Sequence, residues 1–329
     1  MGLDTKLSRK TRTRSLVVGG AGFIGSHLVK HYLKKNHSVV VIDNYVTGNK
    51  NNLKEVAVNK NLQIVEADLI NFSFSSLPQF DIVYDLASPA SPAVFEKLSF
   101  EIFKVNSIGL INLLDFFVRS KSSVFVFAST SEVYGDAKVT PQPETYFGNV
   151  HTTGPRSCYD EGKRFAEAVI SAYIRKYNID ARIARIFNTY GPFMNKEDGR
   201  FISNFINQAI NNQQLTIYGD GTQTRSSCYV SDMVTGLVLL GETKNLKGEI
   251  INLGNSDERK VVNVAQLIKK LTNSNSKIVF QPIGEDDPKK RCPDIAKAKK
   301  LLGWQPKINL EEGLKLTIQY FRSQSTNVS

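Results

Sequence analysis

The chain has 329 residues, 41% of them hydrophobic and 22% charged, with a formal net charge of +11. That balance describes a globular protein with a sizeable core, in one large domain or two ordinary ones, and excludes a disordered or fibrous chain. The positive excess gathers only in small groups at residues 6–14, 289–291 and 297–300, without interleaved aromatics, which argues against a nucleic-acid partner and for a surface field that favours an anionic small molecule.

Cys158, Cys228 and Cys292 are an odd set with no CxxC spacing, which speaks against a disulfide framework or a metal site and for a reducing, cytoplasmic setting. No apolar run approaches the roughly 18 residues that span a bilayer, so no membrane segment is expected. The basic residues 1–14 lack the apolar stretch of a signal peptide and read as a disordered tail.

From Ser15 the run Leu16-Val17-Val18 has the continuity of a strand buried on both faces, and it breaks at Gly19-Gly20-Ala21-Gly22-Phe23-Ile24-Gly25. A helix follows with Phe23, Ile24, Leu28, Tyr32 and Leu33 on its apolar face, and a second buried strand, Val39-Val40-Val41-Ile42, leads to Asp43. Strand, glycine turn, helix, strand and acid supply the context that a dinucleotide-binding fingerprint requires. The glycines at 19, 20 and 22 permit a sharp turn close to a pyrophosphate, and Gly25 lets helix and strand pack together. The helix N-terminus then faces the phosphates with its partial positive charge. Asp43 would accept from the adenosine ribose hydroxyls and repel a 2'-phosphate, which favours NAD over NADP.

Further strands are predicted at residues 62–66, 81–86, 124–128 and 181–187, separated by helical segments near 52–58, 95–120 and 159–177. This alternation gives an α/β class, a Rossmann-type doubly wound parallel sheet with right-handed crossovers. Ligands sit at the carboxyl ends of such strands, where Asp68, Ala87, Ser88, Ser129 and Asn188 fall. The expected cofactor-binding set is Gly19, Gly22, Phe23, Ile24, Gly25, Asp43, Asn44, Asp68, Leu69, Leu86, Ala87, Ser88, Asn106, Ser129, Tyr159 and Lys163. Residues 95–120 and the helix from Tyr159 carry apolar residues on more than one face, either to cover the sheet or to pair with a second subunit as a four-helix interface in a homodimer.

After Phe187 the alternation loosens around Gly191-Pro192, Asp198-Gly199-Arg200 and Gly219-Asp220-Gly221. Helices are predicted at 201–211, 231–242, 261–271, 294–302 and 310–321, with short strands at 215–218 and 249–253. The expected division is a dinucleotide-binding domain over 15–187, to which residues 226–255 return, a smaller mixed α/β substrate lobe from 188–225 and 256–322, and a flexible tail at 323–329.

The apolar run 124–128 delivers Ser129-Thr130-Ser131-Glu132, hydroxyls and a carboxylate, to a strand end. Tyr159 and Lys163 are four apart on a predicted helix and so share a face. An ammonium beside the phenol would lower the tyrosine pKa and let Tyr159 take a proton from a substrate hydroxyl as hydride leaves for nicotinamide. Such a pair is common on helices at large; here it follows a dinucleotide fingerprint and a Ser/Thr strand end.

Gly19-x-x-Gly22-x-x-Gly25 with Tyr159-x-x-x-Lys163 resembles the nucleotide-sugar branch of the extended short-chain dehydrogenase/reductases. The strings Leu86-Ala87-Ser88-Pro89-Ala90-Ser91-Pro92, Ser129-Thr130-Ser131-Glu132-Val133-Tyr134-Gly135, Tyr159-Asp160-Glu161-Gly162-Lys163-Arg164 and Ala184-Arg185-Ile186-Phe187-Asn188-Thr189-Tyr190-Gly191-Pro192 resemble the UDP-glucuronate decarboxylase family, also called UDP-xylose synthases. Asp198-Gly199-Arg200, Gln223-Thr224-Arg225, Asp286-Asp287-Pro288 and Arg291-x-Pro293-Asp294-Ile295 extend the likeness over residues 15–321.

The resemblance implies NAD as cofactor, no metal, and UDP-glucuronate as substrate. It implies oxidation at C4 with Tyr159 taking the hydroxyl proton, loss of carbon dioxide from the resulting β-keto acid, and return of hydride to give UDP-xylose. By the same likeness Thr130 bonds the reacting 4-oxygen, Ser131 and Glu132 serve the C5 to C6 region, and Arg291 meets the carboxylate. Pro89, Ser91, Asn188, Arg200, Tyr218, Arg225 and Arg291 are the expected substrate-binding residues. A 4,6-dehydratase would need an acid where Ser131 stands. A 4-epimerase, which usually lacks a carboxylate at the Glu132 position, is the competing enzyme. A decarboxylase could also release a UDP-4-keto-pentose with NADH before the final reduction, and a chain without activity could serve as a nucleotide-sugar sensor. Phe193 stands where the family usually has arginine, and Ser226-Ser227-Cys228 where an Ala-Phe-Gln type sequence is usual.

Overall fold

The structure is a computed structural model and describes residues 13–282 and 290–325. The basic tail as far as residue 12, the Asp286-Asp287-Pro288 motif and residues 326–329 lie outside the described residues.

Seven parallel strands build the central sheet: β1 (Arg14–Val18), β2 (Ser38–Asp43), β3 (Leu62–Glu66), β4 (Ile82–Asp85), β5 (Val124–Thr130), β6 (Ala181–Ile186) and, arriving much later in the chain, Ile250–Leu253. Their order across the sheet is β3-β2-β1-β4-β5-β6 followed by Ile250–Leu253 at the far edge. The order reverses between β1 and β4, the switch point at which a doubly wound sheet opens a crevice.

Period-two alternation sorts the strand side chains into two apolar layers. Leu16, Val18, Val40, Ile42, Phe125 and Phe127 face α3 (Leu110–Ser120) and α4 (Ser157–Tyr177), where Leu113, Leu114, Phe117, Ala166 and Ile170 meet them. Val17, Val39, Val41, Tyr84 and Val126 face α1 (Phe23–Lys34) and α6 (Val230–Glu242), through Leu28, Tyr32, Met233 and Leu237. The second layer runs on without a break into α5 (Phe201–Ile210), α7 (Val261–Thr272) and α9 (Leu310–Ser325), through Phe205, Ile206, Val264, Ile268, Leu314 and Ile318. The C-terminal half therefore shares its core with the sheet.

The rest of that half is held by short pairings. β7 (Thr189–Tyr190) pairs with β10 (Cys228–Tyr229), and β8 (Leu215–Tyr218) with β13 (Ile278–Gln281), both in parallel. β9 (Thr224–Ser226) lies between antiparallel β12 (Glu258–Lys260) and parallel β14 (Lys290–Arg291), so that Arg225 and Arg291 are register partners. The edge strand Ile250–Leu253 is β11, and α8 (Ala296–Leu302) packs near it.

Four expectations need correction. Residues 95–120 are not one helix: a short 3-10 turn at Pro92–Val94 precedes α2 (Ser99–Lys104), a π turn at Val105–Gly109 and then α3. Asn106 occupies the π turn, its Nδ2 donating to the Ile102 carbonyl at 2.8 Å and to Ser88 Oγ at 2.9 Å, and a side chain bonded into the ladder is a known cause of such bulges. The helical segment near 52–58 is a 3-10 helix, Lys50–Val56. Helix α9 runs to Ser325, so the flexible tail expected from residue 323 begins inside it, and Arg14, assigned to the basic tail, starts β1. Strands β7, β9, β10, β12, β13 and β14 are additions that the sequence pattern does not predict.

Candidate active site

The carboxyl ends of the strands open into a cleft of about 1270 Å³ running from the β1–α1 turn to β9 and β14. That exceeds the roughly 300–1,000 Å³ of a typical small-ligand pocket and is room for two nucleotides end to end.

At one end the backbone does the shaping. Gly19 has φ +75°, and a Cβ there would stand 2.8 Å from the Leu86 carbonyl carbon. A Cβ on Gly25 would stand 2.2 Å from the Gly19 oxygen, so the turn and α1 close only around glycine. No side chain caps α1 at Gly22, which leaves its first amides facing the cleft beside Phe23 and Ile24. Asp43, at the end of β2, accepts from the Ala21 and Tyr45 amides at 2.9 Å each; burial raises its pKa and these two bonds oppose the rise. Asn44 donates to Asp68 at 3.0 Å, tying the β2 and β3 ends together next to Leu69. A donor-rich helix start, glycine clearance and a carboxylate one strand away fit an adenosine diphosphate with free ribose hydroxyls, the NAD half expected here.

Leu86, Ala87, Ser88 and Ser129 continue the floor. Two members of the expected cofactor set behave otherwise. Asn106 does not line the cleft; it is buried behind Ser88 and reaches the cleft only through that hydroxyl. Ser129 lines it, but its hydroxyl donates inward to Glu167 at 2.6 Å.

At mid-cleft, Thr130 closes β5, and its Oγ1 accepts the Glu132 amide at 3.2 Å, starting the 3-10 turn Ser131–Tyr134. Tyr159 and Lys163 lie on the buried side of α4, as their spacing predicts, and Tyr159 is stacked on Phe95 at 4.9 Å. The expected lowering of the phenol pKa is not found. Burial pushes Tyr159 up to about 12, with Arg200 and the nearby Thr130 hydroxyl opposing. Lys163 donates to the Ala128 carbonyl at 2.9 Å and sits 6.0 Å from the Tyr159 ring centre. Its own pKa falls to about 8, first through burial, with Asp85 and Glu167 holding it up.

Beyond them stands a charged cluster. Glu132 forms ion pairs with Arg291 and, at 2.6 Å, with Arg156, and the two guanidinium groups outweigh burial to hold its carboxyl well below the usual range. Arg291 is also 3.3 Å from Ser131 Oγ and donates to the Gly135 carbonyl at 3.2 Å. Glu132 is thus an ionised acceptor in this arrangement. Arg156 has no place among the residues expected from the sequence, although it precedes Tyr159 by three residues at the helix start, the spacing that puts two side chains on one face. Asp160, buried beside Glu132, is a second such addition.

The far end receives Pro89, Ser91, Asn188, Arg200, Tyr218 and Arg225 together. Ser91 donates to the Asp198 carbonyl, and Arg200 to the Ala90 carbonyl at 2.5 Å, joining the β4 loop to the start of α5. Tyr218 is largely exposed at the rim and Arg225 buried within. Phe193 holds φ +67°, packs between the His27 and Tyr320 rings, and lies 3.7 Å beneath the Lys30 ammonium. Among the described residues no group of acidic, histidine or cysteine side chains could hold a metal ion.

Residues 15–254 match the NAD dependent epimerase/dehydratase family. UDP-glucuronic acid decarboxylase 1 of Xenopus tropicalis is 47% identical over 318 residues, which are 97% of this chain and 74% of that protein. UDP-glucuronic acid decarboxylase 4 of Arabidopsis thaliana is 46% identical over 318 residues, 97% of this chain and 70% of that protein. Among solved structures, UDP-glucuronic acid 4-epimerase from Bacillus cereus, in complex with UDP-glucuronic acid and NAD, superposes with a TM-score of 0.87 at 30% identity, covering 95% of this chain and all of that one. The chain belongs to the NAD dependent epimerase/dehydratase family and, within it, to the UDP-glucuronic acid decarboxylases.

Proposed function

We propose that this protein converts UDP-glucuronate to UDP-xylose and carbon dioxide, with NAD as a recycled cofactor. The observation that carries the reading is the Glu132, Arg156 and Arg291 cluster beyond Tyr159 and Thr130: two guanidinium groups gathered in the cleft where a sugar carboxylate would lie.

NAD, when bound, takes the hydride from C4 and later returns it. Tyr159, held against Phe95 next to Thr130 and with Lys163 one helical turn away, takes the C4 hydroxyl proton. The 4-ketone lies β to the carboxylate. The C5–C6 bond then breaks, carbon dioxide leaves, and the bonding pair moves onto C5 and the 4-oxygen as an enolate, which Thr130 and the Tyr159 hydroxyl stabilise by hydrogen bonding. Arg291 holds the carboxylate in line for that cleavage. Glu132, kept ionised, orients a water that gives a proton to C5 and is reprotonated from solvent, and Tyr159 returns its proton to the 4-oxygen as the C4 ketone is reduced back to the hydroxyl. The net reaction consumes one proton and changes no redox state. The higher identity to UDP-glucuronic acid decarboxylases, 46–47% against 30% for the UDP-glucuronic acid 4-epimerase, favours this over 4-epimerisation of the same uronate.

Incubation with UDP-glucuronate and NAD, following carbon dioxide, nicotinamide absorbance and the sugar by NMR, tests the reading. Carbon dioxide and a UDP-pentose are expected; a galacturonate-linked product without gas would replace it with the epimerase.

We also propose a homodimer built on α2, α3 and α4. Phe100, Phe103 and Ile108 on the α2–α3 segment, and Phe165 on the adjoining α4, are exposed, Phe100 to 73%. Sedimentation as monomer alone at micromolar concentration would remove this. A cytoplasmic setting is proposed in turn, supported by three buried, unpaired cysteines.

A further inference from the structure

We infer that Gln142 is the positioning residue for Arg291, and that it sets decarboxylation without serving the hydride step. Gln142 lies in the connection between β5 and α4, the same connection that carries Glu132, and is 1% exposed. Its amide donates to the Cys292 carbonyl at 2.8 Å, and its Oε1 accepts the Cys292 amide at 2.9 Å. The residue next to Arg291 is therefore gripped on both of its peptide faces. The Gln142 carbonyl accepts from the Asp294 amide at 3.0 Å and from Asn252 Nδ2 at 2.9 Å, while Nε2 donates to the Val139 carbonyl and to Thr140 Oγ1. With donor and acceptor ends both engaged, the Gln142 side chain has one orientation.

The grip is anchored on the sheet. Asn252 of β11 accepts from the Tyr134 hydroxyl at 2.8 Å; that hydroxyl accepts from Arg185 of β6 at 3.0 Å; and Arg185 forks onto Glu167 of α4 at 2.8 and 3.0 Å. Ser226, where the family pattern has alanine, adds a bond of its own to the Arg291 carbonyl at 3.1 Å. Arg291 is thereby fixed to the nucleotide-binding half although it arrives from the far end of the chain. Tyr159, Thr130 and Lys163, which serve the C4 chemistry, hang on β5 and α4 and have no bond to Gln142.

The inference rests on the decarboxylase reading above. It is tested with Gln142→Met, which keeps length and loses both polar ends, by stopped-flow nicotinamide absorbance alongside carbon dioxide release. Carbon dioxide release is expected to fall on the order of 10- to 100-fold, the penalty of a displacement near 1 Å at a reacting group. The KM for UDP-glucuronate should move less than about threefold, and reduced nicotinamide should accumulate on the enzyme ahead of the gas. A uniform slowing of both signals, or a loss matched by weaker NAD and UDP binding, would overturn the role. Should Gln142→Met not fold, Gln142→Asn must show the same split at smaller size. No carbon dioxide from the wild type would overturn the decarboxylase reading as well; normal wild-type turnover with no split in the variants overturns the positioning role alone.

Discussion

The two ends of the cleft are built by opposite means. The diphosphate and adenosine-ribose part of the cofactor end comes from one continuous stretch, β1 through β2, and its selectivity is a matter of backbone: glycines without Cβ atoms, an uncapped helix start and the Asp43 carboxylate. The uronate end takes Glu132, Arg156 and Arg291 from three separate segments and works with side-chain charge in a buried setting. A backbone cradle tolerates no added atom but asks for no partner. A buried charge cluster tolerates changes of shape but collapses when one charge is left alone. Tyr159 stands between the two and belongs to both, which makes it the place where the comparison breaks most severely.

Tyr159→Phe should lower turnover by about 10²- to 10⁴-fold, the usual range for a lost acid-base group, while UDP and NAD binding measured by calorimetry stay close to wild type. Retained turnover would end its role. Glu132→Gln attacks the uronate end alone. It removes the buried carboxylate that Arg156 and Arg291 share, so turnover should fall by about 10²-fold and stability by roughly 3–5 kcal/mol, with NAD affinity unmoved. An equal loss of NAD affinity would mean that the two ends are not separable. Gly25→Ala attacks the cofactor end alone: the new methyl meets the Gly19 oxygen, and an overpacking cost of about 1–3 kcal/mol corresponds to NAD binding weaker by roughly 10- to 100-fold. UDP binding should hold.

The same contrast explains what could be read from the chain alone. Leu16-Val17-Val18, the glycine turn and Asp43 are neighbours in sequence, and their pattern carries its own meaning. Helical spacing places Tyr159 and Lys163 for the same reason, but not their electrostatics: the phenol rises because burial dominates and Lys163 bonds Ala128. The uronate end is legible only as likeness to a family. β9 and β14, which carry Arg225 and Arg291, are two or three residues long and show no alternation to detect. Arg156 looks like a loop cation in the sequence, and the π turn at Asn106 depends on a bond to Ser88 that spans a separate strand end.

Asp160 gives the smallest and most specific test of the charged end. It sits at the start of α4, 7% exposed, with Oδ1 lacking a hydrogen-bond partner. Burial first, and then the Glu132 carboxylate, push its pKa up to about 7, with Arg156 and Arg291 opposing. An unfolded aspartate titrates near 3.9, so the folded state binds the proton more tightly. The resulting stabilisation is complete below about pH 4 and is lost as pH rises through the folded value near 7. Asp160→Asn cannot ionise and escapes that loss. The melting temperature of the variant relative to wild type should therefore climb between pH 5 and pH 8, on the order of 3 °C, and Glu132→Gln should shrink the climb by removing the neighbouring negative charge. A difference that stays flat over this window would mean that Asp160 ionises freely and that the cluster's field does not reach it.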